Sequence, residues 1–173
     1  MKPLLALLAW FVAACASAPT EPVAQTPPWE RNPALQTTDV PEVLIREWTR
    51  AENRESCAPL AFADLGVGAG ATPRRANFSG GWAVAWDRPD LRSAFGIAGT
   101  GVAPGPDMYR DWENQRTWAG GAWAGWGLEG GTGPKYLAYI VVPGEECLYN
   151  VWSHVSVGHV ERLIESLRRV NVP

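Results

Sequence analysis

The sequence predicts an α+β domain: one antiparallel sheet of about five to six strands, with N- and C-terminal helices packed on a face. Three observations predict it. Apolar residues recur at helical spacing near residues 40–51 and again near 157–170, while period-two alternation and Gly- and Pro-rich turns fill the interval between them. The turns are short, which favours antiparallel pairing of successive strands.

Taken in order, Asp39 with Glu42 reads as a capping box, and Val40, Val43, Leu44, Trp48 and Ala51 fall on one helical face. Glu42 and Arg46, four apart, are placed to pair on the outer side. Leu60 to Leu65 reads as a short strand, and Gly66 to Pro73 as a loop. In Phe78–Trp86 the large residues Trp82, Val84 and Trp86 alternate with Ala83 and Ala85, the mark of a strand. Asp87-Arg88-Pro89-Asp90 turns the chain into Ser93–Ala98. Asp107–Gln115 has room for one short helix, and Thr117–Leu128 reads as a strand bent by its glycines. Tyr136–Val142 and Cys147–Ser153 form a hairpin around Pro143-Gly144. Ser153 or Ser156 then caps a last helix whose stripe runs Val157, Val160, Leu163, Ile164, Leu167, Val170. Gly80–Trp86 (GGWAVAW) and Gly120–Trp126 (GGAWAGW) look alike, as equivalent strands of two half-sheets would.

Composition excludes several classes. The 173 residues are 46% apolar with a net charge of −3, which suits one globular domain and argues against disorder of the whole chain. Basic residues cluster no further than Arg74-Arg75 and Arg168-Arg169, so nucleic acid is not an expected partner.

Residues 1–15 supply an address. Met1-Lys2 is followed by an eleven-residue apolar run, Leu4–Ala14. As a helix that run rises about 16 Å, too short to span a bilayer, and it fits the apolar part of a secretory signal. It ends in Val12-Ala13-Ala14-Cys15, which resembles the lipobox of bacterial lipoproteins. The resemblance covers these fifteen residues alone. It implies a signal peptide at 1–14, acylation of Cys15, and attachment to a membrane through the lipid. The competing cut after Ala18 would leave Pro19 as the first mature residue, a poorly tolerated position. In a Gram-negative cell Ala16 would imply the outer membrane, facing the periplasm. Residues 15–38, with five prolines after the cysteine, are expected to be an extended tether, and 39–173 the single folded domain.

With Cys15 acylated, Cys57 and Cys147 remain as an even pair in an oxidising space and are expected to be bridged. Catalytic and metal motifs are weak, and no cofactor is expected. Gly125–Gly130 spells G-x-G-x-x-G, but Gly131, Gly133 and Pro134 leave no helix to receive a pyrophosphate. His154 and His159 stand five apart beside Ser153, Ser156 and Glu161, without a nucleophile-elbow motif around any serine and without shared-face metal spacing. Asp87 with Asp90, and Glu145 with Glu146, read as solvated turn residues rather than paired acids. The unusual feature is tryptophan, ten in all. Trp82, Trp86, Trp123 and Trp126 are the candidate ligand-binding residues: they either fill the core opposite Gly and Ala or line a groove for a glycan or other planar ligand. The expected function is a membrane-anchored, non-catalytic binding or structural protein of the envelope, whose ligand is a small molecule, a glycan or an envelope protein. The alternatives are an inhibitor or immunity lipoprotein against an envelope enzyme, and a small hydrolase using His154 or His159.

Overall fold

The computed structural model describes residues 24–78, 80–105, 111–131 and 133–173. The expected signal peptide, Cys15, the expected tether up to residue 23 and positions 107–110 of the expected short helix lie outside the described residues.

The expected single sheet with helices is overturned. Among the described residues the chain is mostly β, with ten strands in a seven-stranded and a three-stranded sheet and only three short helices. In the large sheet β3 (Thr72–Arg75), β4 (Trp82–Arg88) and β5 (Leu91–Gly99) form one meander, and β6 (Asn114–Thr117), β7 (Trp123–Leu128), β8 (Tyr136–Val141) and β9 (Tyr149–Ser153) form another. The two meanders join where β5 pairs with β9, giving the order β3-β4-β5-β9-β8-β7-β6, antiparallel throughout. The small sheet sets β10 (Leu167–Asn171) between β1 (Leu35–Gln36), which is parallel to it, and β2 (Leu60–Phe62), which is antiparallel.

Three of the strands that sequence reasoning missed have one thing in common. β3 (TPRR), β6 (NQRT) and β1 (LQ) are edge strands without a buried alternating face, so no apolar period marks them. Pro73 and the charged residues of β3 and β6 are what an edge tolerates. β10 was expected as the end of the last helix. A three-residue spacing of Leu167 and Val170 fits a helix face, but α3 (Val157–Ser166) stops short, and residues 167–171 extend instead to pair on both sides. Available strand partners override local periodicity here.

Part of the expected 15–38 tether is packed. Pro27, Pro28 and Trp29 are buried, α1 (Pro28–Arg31) packs on the domain, and Trp29 meets Trp118 edge-on at 5.3 Å between ring centroids. The Ala119 amide donates to the Gln25 carbonyl at 2.8 Å. At the next helix, α2 (Glu42–Arg50), Asp39 caps a preceding 3-10 turn, its Oδ2 accepting from the Gln36 amide at 2.9 Å. The expected Asp39–Glu42 box is therefore displaced by a Gln36–Asp39 box. Arg46 lies 3.7 Å from Glu47 instead of pairing with Glu42, and Glu47 is held by Arg75 of β3 at 3.0 Å.

The large sheet has two unlike faces. One carries Trp82, Val84, Trp86, Ile97, Trp126 and Ile140 into the main core, together with α2, α3 and the small sheet. The other carries small residues, Ala83, Ala85 and Ala98, around Leu137 and Trp152. Gly80–Trp86 and Gly120–Trp126 hold corresponding places, each ending in the strand next to an edge (β4 and β7). Both enter through glycines at positive φ, 69° at Gly80 and 76° at Gly120, a conformation that residues with a Cβ rarely adopt.

Candidate functional site

The four candidate tryptophans sit inside the protein, with exposures of 1% for Trp82, 2% for Trp86, 1% for Trp123 and 4% for Trp126. They line no shared groove. Three strands, β5, β9 and β8, separate β4 from β7, which at about 4.8 Å per strand puts the two pairs roughly 19 Å apart. Trp86 stacks on Phe95 at 5.5 Å, Phe62 tilts against both rings, and Trp82 meets Tyr149 edge-on at 6.2 Å. Trp123 and Trp126 are three apart on one strand and so point to opposite faces of the sheet.

Cys57 and Cys147 are joined, with their Cα atoms 5.5 Å apart across a sequence separation of 90. The bond fixes the loop after α2 to the turn that leads from β8 into β9. Around it Trp48 Nε1 donates to the Cys57 carbonyl at 3.0 Å, the Glu146 amide to the Ser56 carbonyl at 2.8 Å, and Tyr149 Oη to the Ala58 carbonyl at 2.8 Å. Glu145, expected as a solvated turn residue, is instead a bracket in this region. One carboxylate oxygen accepts from the Ala58 amide and the other from Arg169, both at 2.8 Å. Burial and the nearby Glu145 push the Tyr149 hydroxyl well above its ordinary value.

The two histidines part company. His154 is half-buried at the end of β9, whereas His159, in the first turn of α3, is fully buried. Its Nε2 lies 3.1 Å from the Leu65 carbonyl, an acceptor only, so that nitrogen carries the proton. Nδ1 must then accept from Ser153 Oγ at 2.8 Å, while Ser153 Oγ accepts from the Val155 amide at 2.9 Å. Burial lowers the His159 pKa and keeps the ring neutral, and Phe95 packs edge-on against it at 5.1 Å. A Ser–His hydrogen bond of this kind is half of a hydrolase triad. Here the third partner is a peptide carbonyl, and Ser153 and His159 are both 0% exposed, so a substrate has no route to the hydroxyl. The pair locks α3 to β9 and to the loop at Leu65.

Asp87 and Asp90, the other acidic pair, serve the β4–β5 hairpin. Asp87 accepts from the Ser93 amide at 2.7 Å and from Arg74 Nε at 2.9 Å, and these contacts, the Ser93 bond first, hold its carboxyl below the usual range. Asp90 pairs with Arg88 at 3.2 Å. Gly125–Gly130 closes β7 and runs into a loop leading to β8, not into a helix, so no helix N-terminus faces it.

One accessible candidate site is a groove that the sequence reading did not find. Two adjoining depressions of about 510 and 520 Å³ share Arg116 and Glu165 and run between α3, the edge strand β6 and the docked N-terminal segment at Gln25. Arg116 lies over the rings of Trp126 and Trp118 at 5.8 and 5.9 Å. Glu165 is clamped by Arg116 and by Arg31 of α1. Glu161 accepts from Trp126 Nε1 at 3.3 Å, and Asp64 accepts from the Gly66 amide at 2.8 Å. Arg168 spends Nη1 on the carbonyls of Glu165 and Leu167, and burial with Arg31 nearby lowers its pKa. Arg162 lines the same groove without a hydrogen bond or ion pair among the described residues. Ser166, the hydroxyl at the groove wall, donates to the Leu163 carbonyl at 2.9 Å and is buried. The arrangement offers guanidinium groups at an open surface, which suits an anionic partner and supplies no activated nucleophile. Its residues come from β6, α3, β10 and the connecting segments at Gln25, Asp64 and Trp118, so no local motif announces them. No family model, curated protein or solved structure matches this chain.

Proposed function

We propose that this protein is a lipid-anchored binding or structural protein of the bacterial cell envelope, without chemistry of its own, held to its membrane by acyl chains on Cys15. The observation that carries the reading is the Cys57–Cys147 bond, buried at 1% and 0% exposure in the main core. A bond so placed belongs to an oxidising compartment, the kind of compartment to which residues 1–15 address the chain. The non-catalytic part is supported by the sealing of Ser153 and His159, the only serine–histidine hydrogen bond between side chains among the described residues. The arginine-lined groove is an accessible depression and a surface for association.

The test is metabolic labelling with an alkyne fatty acid in a bacterial host, followed by membrane fractionation and thiol alkylation in intact cells. The wild type should take up label, sediment with membranes and show no free thiol at Cys57 or Cys147. Cys15→Ser should lose the label and leave the membrane fraction. An unlabelled wild type, or ready alkylation of Cys57 and Cys147, would overturn the reading.

A further inference from the structure

The groove at Arg116 lies beside the point where the described chain begins, and this bears on how the domain is held. Resting on the acylation of Cys15 proposed above, we infer that the face formed by Gln25, α1, β6 and α3 lies against the phosphate-bearing headgroups of the anchoring membrane, with Arg162 and Arg168 turned toward them.

The first argument is length. Eight residues, 16–23, separate Cys15 from Ala24, and at full extension they reach about 30 Å. A unit of some 150 residues has a radius of gyration near 15 Å, hence a diameter of about 38 Å. Turning it over would require the connection to wrap half a circumference, roughly 60 Å, about twice that reach. The exit point is fixed because Gln25 is bonded to the Ala119 amide and Trp29 is buried. The side bearing Gln25 therefore cannot be turned away from the membrane.

The second argument is charge. Arg31, Arg116, Arg162 and Arg168 share this side with Glu30, Asp64, Glu161 and Glu165; Glu165 takes up Arg31 and Arg116, Asp64 and Glu161 accept from N–H donors, and Arg162 has no hydrogen bond or ion pair among the described residues. The free guanidinium of Arg162 is thus the group best placed for a lipid phosphate, which it can grip with two N–H donors. One or two arginines attract an anionic surface only modestly. The anchor supplies what they lack, because a short connection converts the encounter into an intramolecular one at millimolar effective concentration. The polar β6 edge (NQRT) is compatible with lying at a wet interface.

The experiment uses the full acylated chain reconstituted in vesicles of phosphatidylethanolamine and phosphatidylglycerol containing a headgroup-nitroxide lipid. A single cysteine, Thr117→Cys on β6 or Thr72→Cys on β3, carries an environment-sensitive fluorophore. Both positions are exposed, and six strand spacings, about 29 Å, separate the two edges. Cys57 and Cys147 are bonded, so the introduced thiol is labelled selectively. The expected result is strong quenching at position 117 and weak quenching at 72, with Arg162→Glu reducing the former several-fold. Equal or reversed quenching overturns the orientation, and quenching insensitive to Arg162→Glu overturns the headgroup contact. Mass spectrometry of the same sample separates the two readings: acylated protein without the pattern sinks this inference alone, whereas absence of acyl chains on Cys15 sinks the parent reading and this one with it.

Discussion

Trp29→Ala is the perturbation that asks most directly whether residues 24–38 belong to the fold. The indole is 1% exposed, in the main core, and edge-on to Trp118 at 5.3 Å. A buried tryptophan removes about 150–250 Å² from water, which at about 25 cal/mol per Å² is an upper bound of roughly 4–6 kcal/mol. Truncating buried aromatics costs about 3–5 kcal/mol in practice. The Trp29 Nε1 proton has no acceptor among the described residues, and its loss returns a part of that. A cost of about 3 kcal/mol is therefore expected, a large share of a total stability of about 5–15 kcal/mol. The assay is urea unfolding of the mature protein followed by far-ultraviolet circular dichroism, with Trp118→Ala and the double variant completing a cycle. The expected coupling is about 0.5–1.5 kcal/mol. A Trp29→Ala cost below about 1 kcal/mol, with no coupling to Trp118, would show that the segment detaches freely, and the length argument for membrane orientation would fail with it.

Replacing both Cys57 and Cys147 by Ala opens a loop of 90 residues and should lower stability by about 4–5 kcal/mol in the chain-entropy account; a change under 1 kcal/mol in urea unfolding would contradict it. His159 is held below its ordinary 6.5 by burial, with Arg162 and Arg88 adding to the effect, so the unfolded chain takes up the proton first. Stability is then complete above about pH 6.5 and falls below it by up to about 1.4 kcal/mol per pH unit. Urea midpoints at pH 7.5 and 5.5 should show a shallower decline for His159→Gln, and an unchanged decline would reject the assignment. Iodide should reach only Trp48 and Trp112 appreciably in the mature chain, because Trp29, Trp82, Trp86, Trp118, Trp123, Trp126 and Trp152 are buried. Extensive quenching that disappears in Trp82→Phe/Trp86→Phe would show those rings to be accessible. Gly96→Ala should unfold or severely destabilise the domain, since its Cβ would overlap the Trp152 ring and the Val84 carbonyl; a wild-type melting temperature would refute that packing.

Part of this architecture is legible in the chain because the physics behind it is local. Alternation in residues 82–86 sends Trp82, Val84 and Trp86 to one face and Ala83 and Ala85 to the other, as found, since successive side chains on a strand oppose each other. The stripe Val160, Leu163, Ile164 marks a helix for the same kind of reason, and Ser156 caps it by accepting from the His159 amide. The pairing of Cys57 with Cys147 follows from there being two such cysteines once Cys15 is set aside.

The tertiary structure decided what local pattern cannot hold. Whether Leu167 and Val170 end a helix or build a strand depends on β1 and β2 being there to pair with them. The sequence raises tryptophan as the unusual feature, but burial of Trp82 and Trp126 depends on what packs over each strand from elsewhere in the chain. Glu145 looks like a turn residue until Ala58 and Arg169, 87 and 24 positions away, arrive to occupy its oxygens. The groove is the extreme case: Arg31, Arg116, Arg162 and Arg168 meet because a docked N-terminus, an edge strand and a helix converge, and hydrogen bonding and charge act across space with no regard for distance along the chain.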